Sequence, residues 1–298
     1  MWEIPEPISV CEVRLDKNTV TLLRQHGNPS GARLVLCHGN GLAIDLYYPF
    51  WSLLAEDYEL ILYDLRNHGW NAVGERRDHN VPVLIQDYAL ILESIDRHYG
   101  NKPKIGVLHS VSALISLLAA PQDNSCSAQI LFDPPVCKPG ASQTEFDVAA
   151  EHAASLTRRR GYRFQTEEEF SDFLSYIPTF THVVPGVREL MARTTLREVP
   201  DGLGYELRCP REYEAQITDY VRSFSPLVDF ETLPCPTKVI GADPTLPYAY
   251  LPTFDLSDVL TVDYDFIPET THLLQLEKPA DCVSAVREFQ QQQLLPDA

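Results

Sequence analysis

What most narrows the fold of this 298-residue chain is a succession of short apolar runs at 33–37, 59–63, 104–108 and 129–132, with helical stretches between them near 45–55, 82–99 and 111–120. Strands alternating with helices at this spacing predict a parallel sheet covered by helices on both faces, the α/β class. Ahead of them, residues 8–26 alternate apolar and polar around Asp16, Lys17 and Asn18, the pattern of an antiparallel hairpin. The central sheet is therefore expected to be mostly parallel.

After Pro139 the pattern changes. From about 140 to 225 no run reads as a strand, whereas amphipathic helical segments fall near 144–159, 166–176, 185–197 and 210–222. Strand and helix then alternate again, with strands at 237–241 and 259–264 and a last helix at 279–293. A core of residues 1–138 and 226–298 interrupted by a helical cap at 139–225 fits this order better than two successive domains. The cap is expected over the carboxyl edge of the strands, where open α/β sheets bind ligands.

The chain is long enough, and at 44% hydrophobic residues apolar enough, to bury a large core. Its net charge of −18 disfavours nucleic acid and anionic membranes, both of which select clustered Lys and Arg. The basic run Arg158–Arg160 lies between acidic segments and is expected to be a solvated helix end. Seven cysteines without a C-x-x-C pair argue against a disulfide framework and a zinc site, which leaves reduced thiols and a cytoplasmic setting. The opening residues MWEIPEPISV carry no export signal, and no stretch of 18 apolar residues could span a membrane.

Chemistry concentrates at four segments. In KIGVLHSVSA, residues 104–113, an apolar strand stops at Ser110 and resumes as a helix. A strand-to-helix turn lifts a serine hydroxyl clear of the sheet and aims the first free helix N–H, here that of Val111, at a substrate oxygen. Small residues are wanted two positions either side; Ser112 meets this, whereas Leu108 stands where glycine is usual. In LVLCHGNG, residues 34–41, glycines let backbone N–H groups turn inward, so the Asn40 amide could complete an oxyanion hole. KVIGADPT, residues 238–245, puts Asp243 at a strand's carboxyl end, and IPETTHLLQLEKP, residues 267–279, puts His272 in the loop before the last helix. A carboxylate that orients a histidine, and a histidine that takes a serine proton, are the parts a serine nucleophile needs. Gly39 and His109 beside the nucleophile, with Tyr176 and Phe180 of the cap, are candidates for substrate contact. His68, His79, His98, His152 and His182 have no strand end behind them and are expected at the surface or in local hydrogen bonds.

The order Ser110, Asp243, His272, with a glycine loop upstream and a helical insertion between serine and aspartate, resembles the α/β-hydrolase superfamily from about residue 20 to the last helix. YDLRNHGWN, residues 63–71, looks like the D-x-R-G-H-G segment of many members, with Asn67 in place of a glycine and Asp64 and Arg66 expected to tie loops together. The resemblance implies Ser110 as nucleophile, His272 as general base then acid, Asp243 as orienting carboxylate, and Asn40 and Val111 as oxyanion amides. Some members hold the acid after the preceding strand, where Asp133 stands. Asp243 is preferred because a histidine loop follows it at the usual short distance.

These parts imply hydrolysis of a carboxylic ester or lactone of a small to medium hydrophobic substrate through an acyl-enzyme, with no metal or organic cofactor. A carbon–carbon bond hydrolase acting on a diketone, and a ligand-binding member with little turnover, are the alternatives. The expected partner is the substrate alone, with a homodimer left open.

Overall fold

The computed structural model describes residues 2–119, 126–136, 143–200, 202–246, 256 and 262–294. The expected strand 259–264 falls partly outside them, as does the expected boundary between residues 138 and 139. β1 (Ser9–Arg14) and β2 (Val20–Gly27) form the antiparallel hairpin. Its turn is closed by Asp16, whose Oδ1 accepts the N–H groups of Asn18 and Thr19 at 2.8 Å each. β3 (Ala32–Cys37) leads into the single helical turn α1 (Tyr48–Trp51). The helix expected over 45–55 is thus mostly three-residue turns, with Leu53, Leu54 and Ala55 each bonding back three residues. β4 (Tyr58–Leu62) follows, then α2 (Val81–Tyr99). The latter is capped by Asn80, whose side chain accepts Val83 N–H at 3.0 Å, and it buries Leu84, Tyr88, Ile91, Leu92 and Ile95 along one stripe.

β5 (Lys104–His109), α3 (Val111–Ala119) and β6 (Ala128–Phe132) complete the first half of the core. The insertion then holds α4 (Gln143–Arg159), β7 (Arg163–Phe164), α5 (Glu167–Ser175), α6 (Val187–Thr195), β8 (Leu196–Glu198), β9 (Tyr205–Leu207) and α7 (Arg211–Phe224). The chain closes with β10 (Thr237–Gly241), β11 (Asp263–Phe266), the short turn α8 (Leu274–Glu277) and α9 (Pro279–Leu294).

The eight core strands run in the order β1-β2-β4-β3-β5-β6-β10-β11, parallel from β4 onward and antiparallel where β2 meets β1 and β4. Alternation along each strand divides the apolar side chains between two clusters. Leu34, Leu36, Leu60, Leu62, Val107 and Phe132 pack towards α1, α9 and part of the cap. Val35, Cys37, Ile61, Leu108, Leu131 and Val239 pack towards α2 and α3. The cap departs from the all-helical expectation, because β7, β9 and β8 form a small antiparallel sheet. Strands of two or three residues are too short for a period-two pattern to register in sequence. The six described cysteines are free thiols, and no helix among the described residues is long and apolar enough to cross a membrane.

Within β2 of the hairpin, Arg24 is buried with Nη1 2.6 Å from Asp45 and Nη2 2.9 Å from Asp64, and its guanidinium lies 4.6 Å from the Trp70 ring centroid. Removing the cation leaves two buried carboxylates uncompensated. Arg24→Met should therefore lower unfolding free energy by about 3–5 kcal/mol in urea titrations; a loss below about 1 kcal/mol would show that the pair is not structural.

Candidate active site

β5 ends at His109 and α3 begins at Val111, so Ser110 alone makes the turn. It does so at φ +55°, a left-handed conformation that costs a non-glycine residue roughly 1–3 kcal/mol and persists only where its surroundings impose it. Here the Ser110 N–H donates to Phe132 O at 2.9 Å, and Ser110 O accepts the Leu114 N–H of α3 at 3.1 Å. Ser112, the small residue on the helix side, accepts the His109 N–H at 3.0 Å. Leu108 is wholly buried on the α2–α3 face, and the turn forms with it in place.

The Ser110 hydroxyl lies 2.9 Å from Nε2 of His272, and Nδ1 of His272 lies 2.6 Å from Oδ2 of Asp133. A carboxylate only accepts, so Nδ1 carries a proton, and in a neutral ring Nε2 turns its lone pair to the serine. Asp133 follows β6 as Ser110 follows β5, at φ +43°, with its N–H on Ile240 O at 2.8 Å and its Oδ1 accepting the Ala242 N–H at 3.2 Å.

The carboxylate beside His272 is thus Asp133, and the sequence preference for Asp243 is corrected. Asp243 is engaged by its own loop: Oδ1 accepts the Thr245 hydroxyl at 2.6 Å and its N–H at 2.8 Å, and Oδ2 accepts the Glu269 N–H at 2.7 Å. The Thr245 hydroxyl, then these N–H groups, hold its carboxyl below the usual range. Asp243 stands at the end of β10 but spends both carboxylate oxygens on Thr245 and Glu269, whereas Asp133, at the end of β6 beside β5, meets the imidazole.

The loop His38-Gly39-Asn40-Gly41 follows β3. A Cβ on Gly39 would stand 3.1 Å from the Ser110 Cβ and 2.9 Å from His109 Nδ1, so only glycine lets the loop approach Ser110 this closely. Gly41, at φ +75°, lies against Glu214, whose carboxylate would be 2.5 Å from such a Cβ. Buried side chains take the backbone groups around Asn40. Tyr47 Oη accepts the Gly39 N–H at 3.2 Å, His38 Nδ1 donates to Gly39 O at 2.6 Å, and His68 Nε2 accepts the Gly41 N–H at 2.9 Å. The N–H groups of Asn40 and Val111 meet no acceptor among the described residues, which is what an oxyanion hole requires of its donors.

A cavity of about 360 Å³ opens between this loop and the cap, with Gly39 and His272 among its lining residues. Phe170, Phe173, Ile177 and Phe180 give it apolar walls, and Arg160 with Glu214, 2.6 Å apart, gives it one polar corner. Gly39 and Phe180 of the expected substrate contacts therefore line it. Tyr176 is 84% exposed and does not, because it follows the last turn of α5 on the solvent side. His109 does not either; it lies beneath the site, with Nδ1 on Tyr47 Oη and Nε2 on His272 O. Arg160 is no solvated helix end, because buried Glu214 on α7 draws it inward. Nothing local in the sequence signals that pair, whose members are 54 residues apart.

His98, His152 and His182 are exposed, whereas His68 and His79 are buried. His68, His79 and Cys209 bring ligand-type atoms within 4.8 Å of one another. Both nitrogens of His68 are committed to backbone, Nε2 to Gly41 and Nδ1 to Arg66 O, so the trio offers two ligands, fewer than a zinc site uses.

A family model described as the alpha/beta hydrolase family matches residues 34–285. A poly(3-hydroxyalkanoate) depolymerase of Ectopseudomonas oleovorans is 29% identical over 104 residues, which span 35% of this chain and only 36% of the depolymerase. Among solved structures, an E-2-(acetamidomethylene)succinate hydrolase is similar at a TM-score of 0.77 and 16% identity, over 95% of this chain and 99% of its own. An N-formylmaleamic acid deformylase from Pseudomonas putida S16 is similar at 0.64 and 17%, over 93% and 100%. Identities this low speak for the fold alone.

Burial lowers His38 to about 4 and His68 to about 3, so both stay neutral in the native protein at mild acidity. The unfolded chain takes up those protons near pH 6.5 and the native chain does not. Stability is therefore complete above pH 6.5 and falls as the pH drops from there towards 4. At pH 5 the loss for His38 alone is about 2 kcal/mol. Urea titrations at pH 7.5 and pH 5 should show a lower midpoint at pH 5, and equal midpoints would refute buried neutral histidines.

Proposed function

The chain belongs to the alpha/beta hydrolase family, and we propose that it is a serine hydrolase cleaving a carboxylic ester or lactone of a small to medium hydrophobic substrate through an acyl-enzyme. The observation that carries this reading is the hydrogen-bonded series Ser110, His272, Asp133 at 2.9 and 2.6 Å. Ser110 Oγ attacks the substrate carbonyl as its proton passes to His272 Nε2, and Asp133 stabilises the resulting imidazolium through Nδ1. The carbonyl oxygen, now anionic, accepts from the Asn40 and Val111 N–H groups. His272 then protonates the departing alcohol, which leaves an acyl group on Ser110. A water attacks that acyl group as it gives a proton to His272, and collapse of the second intermediate returns the proton to Ser110 Oγ.

The apolar cavity supports a hydrophobic acyl group, since its volume lies at the small end of ligand pockets. The net charge of −18 disfavours strongly anionic thioesters at long range. The likeness to a protein named as a poly(3-hydroxyalkanoate) depolymerase leans the reading towards esters.

Incubation with a fluorophosphonate, followed by intact mass and peptide mapping, should find one adduct on Ser110 and none in Ser110→Ala. An unlabelled parent would sink the serine-hydrolase reading. Asp133→Asn should lower hydrolysis of p-nitrophenyl butyrate by about 10⁴-fold, whereas Asp243→Asn, which loosens a loop, should lose far less. The reverse ranking would return the acid role to Asp243.

A further inference from the structure

Three hydrogen bonds run in series beneath the site and join its two working loops. The Gly39 N–H donates to Tyr47 Oη at 3.2 Å, Tyr47 Oη lies 2.6 Å from His109 Nδ1, and His109 Nε2 lies 2.8 Å from His272 O. We infer that Tyr47 and His109 are positioning residues, a buried relay that holds the oxyanion loop and the histidine loop in register on either side of Ser110. The inference rests on the serine-hydrolase reading above.

With a neutral His109, only one proton arrangement satisfies the series. The His272 carbonyl can only accept, so His109 carries its proton on Nε2 and presents a lone pair at Nδ1. The Tyr47 hydroxyl donates to that lone pair, and its own oxygen accepts from Gly39. Burial keeps both groups in these forms, since it lowers His109 well below its ordinary range, with the neighbouring His272 adding to the effect, and raises Tyr47. Each side chain is about 1% exposed, so water cannot substitute for a lost partner.

The path of the relay separates it from ordinary core filling. A phenylalanine and a leucine could occupy the same volume without burying polar atoms. The polar pair instead links two backbone groups, the amide preceding the Asn40 donor and the carbonyl of the general base. Those loops must agree to well under 1 Å for the serine, the base and the oxyanion donors to meet one carbonyl. The same histidine packs obliquely against the base, with ring centroids 4.8 Å apart and planes at 42°, which limits the tilt of the His272 imidazole. Gly39 brings the loop against both His109 and Ser110, so a shift of the ring reaches the loop directly.

Tyr47→Phe, His109→Leu and the double variant test this through kcat and KM for p-nitrophenyl butyrate. Each single variant should lose about 10- to 100-fold in kcat with KM nearly unchanged. The double variant should be no worse than His109→Leu, because one relay is cut once or twice. His109→Gln, which offers an amide N–H near the Nε2 position, should recover most of the rate. Unchanged kcat, multiplying effects, or a loss confined to KM would overturn the relay. Should His109→Leu fail to fold, ¹⁵N spectra of the parent's histidines decide: a neutral Nε2–H His109 at pH 7 is required, and an Nδ1–H or charged ring refutes it. A parent whose Ser110 takes no fluorophosphonate sinks both readings, whereas a labelled parent with equally active Tyr47→Phe sinks the relay alone.

Discussion

The hydrogen bond from the Ser110 N–H to Phe132 O is the constraint on which the site depends. His109 pairs with Phe132 in the ladder of β5 and β6, so this bond continues the pairing one residue past the strand, while Ser110 O already accepts the Leu114 N–H of α3. The same device recurs one strand over, where the Asp133 N–H donates to Ile240 O, and again where the Asp243 N–H donates to Thr270 O. Each strand end is thereby pinned to its neighbour. Serine and acid emerge from adjacent strands, about 5 Å apart in the sheet, and one imidazole bridges them.

A glycine loop next to the buried Ser110 exposes backbone donors and acceptors to an environment with little water, where each unpaired group costs on the order of 1–3 kcal/mol. His38, Tyr47 and His68 meet that demand around Asn40, each as a neutral group with one donor or acceptor facing the loop. Protonated histidine could not do this, because His68 Nε2 must accept from Gly41. The Asn40 and Val111 N–H groups themselves meet no acceptor among the described residues. In the function proposed above, donors held this way would stabilise an oxyanion without reorganising the site as charge develops.

The sheet was legible because buried parallel strands are short and apolar, and helices between them keep their own period. Ser110 and His272 were legible because each stands where an apolar run gives way to a turn. The choice between Asp133 and Asp243 was not, because FDPP and GADP carry the same local signal at the ends of β6 and β10. Only their contacts separate them: Asp243 is taken up by Thr245 and Glu269, whereas Asp133 meets His272, 139 residues away. The relay was invisible for a similar reason: Tyr47 is 62 residues from His109, which in turn is 163 from His272. The cap strands left no trace because two or three residues cannot display alternation.

Asp243 has a purpose even though it does not touch the imidazole. Its Oδ2 holds the Glu269 N–H, at a residue with φ +58°, and its own N–H holds Thr270 O. From the other side, buried Glu277 accepts the Thr271 N–H at 2.6 Å and the Thr271 hydroxyl at 2.5 Å. With His109 on His272 O, four consecutive residues, 269 to 272, are anchored at three places, the first two on Asp243, the third on Glu277 and the fourth on His109. What remains free in that loop is rotation of the imidazole, and Asp133 and Ser110 fix it from its two nitrogens. The closeness in sequence of Asp243 to His272 therefore reflects anchorage of the backbone, and the distance of Asp133 from it reflects contact with the ring.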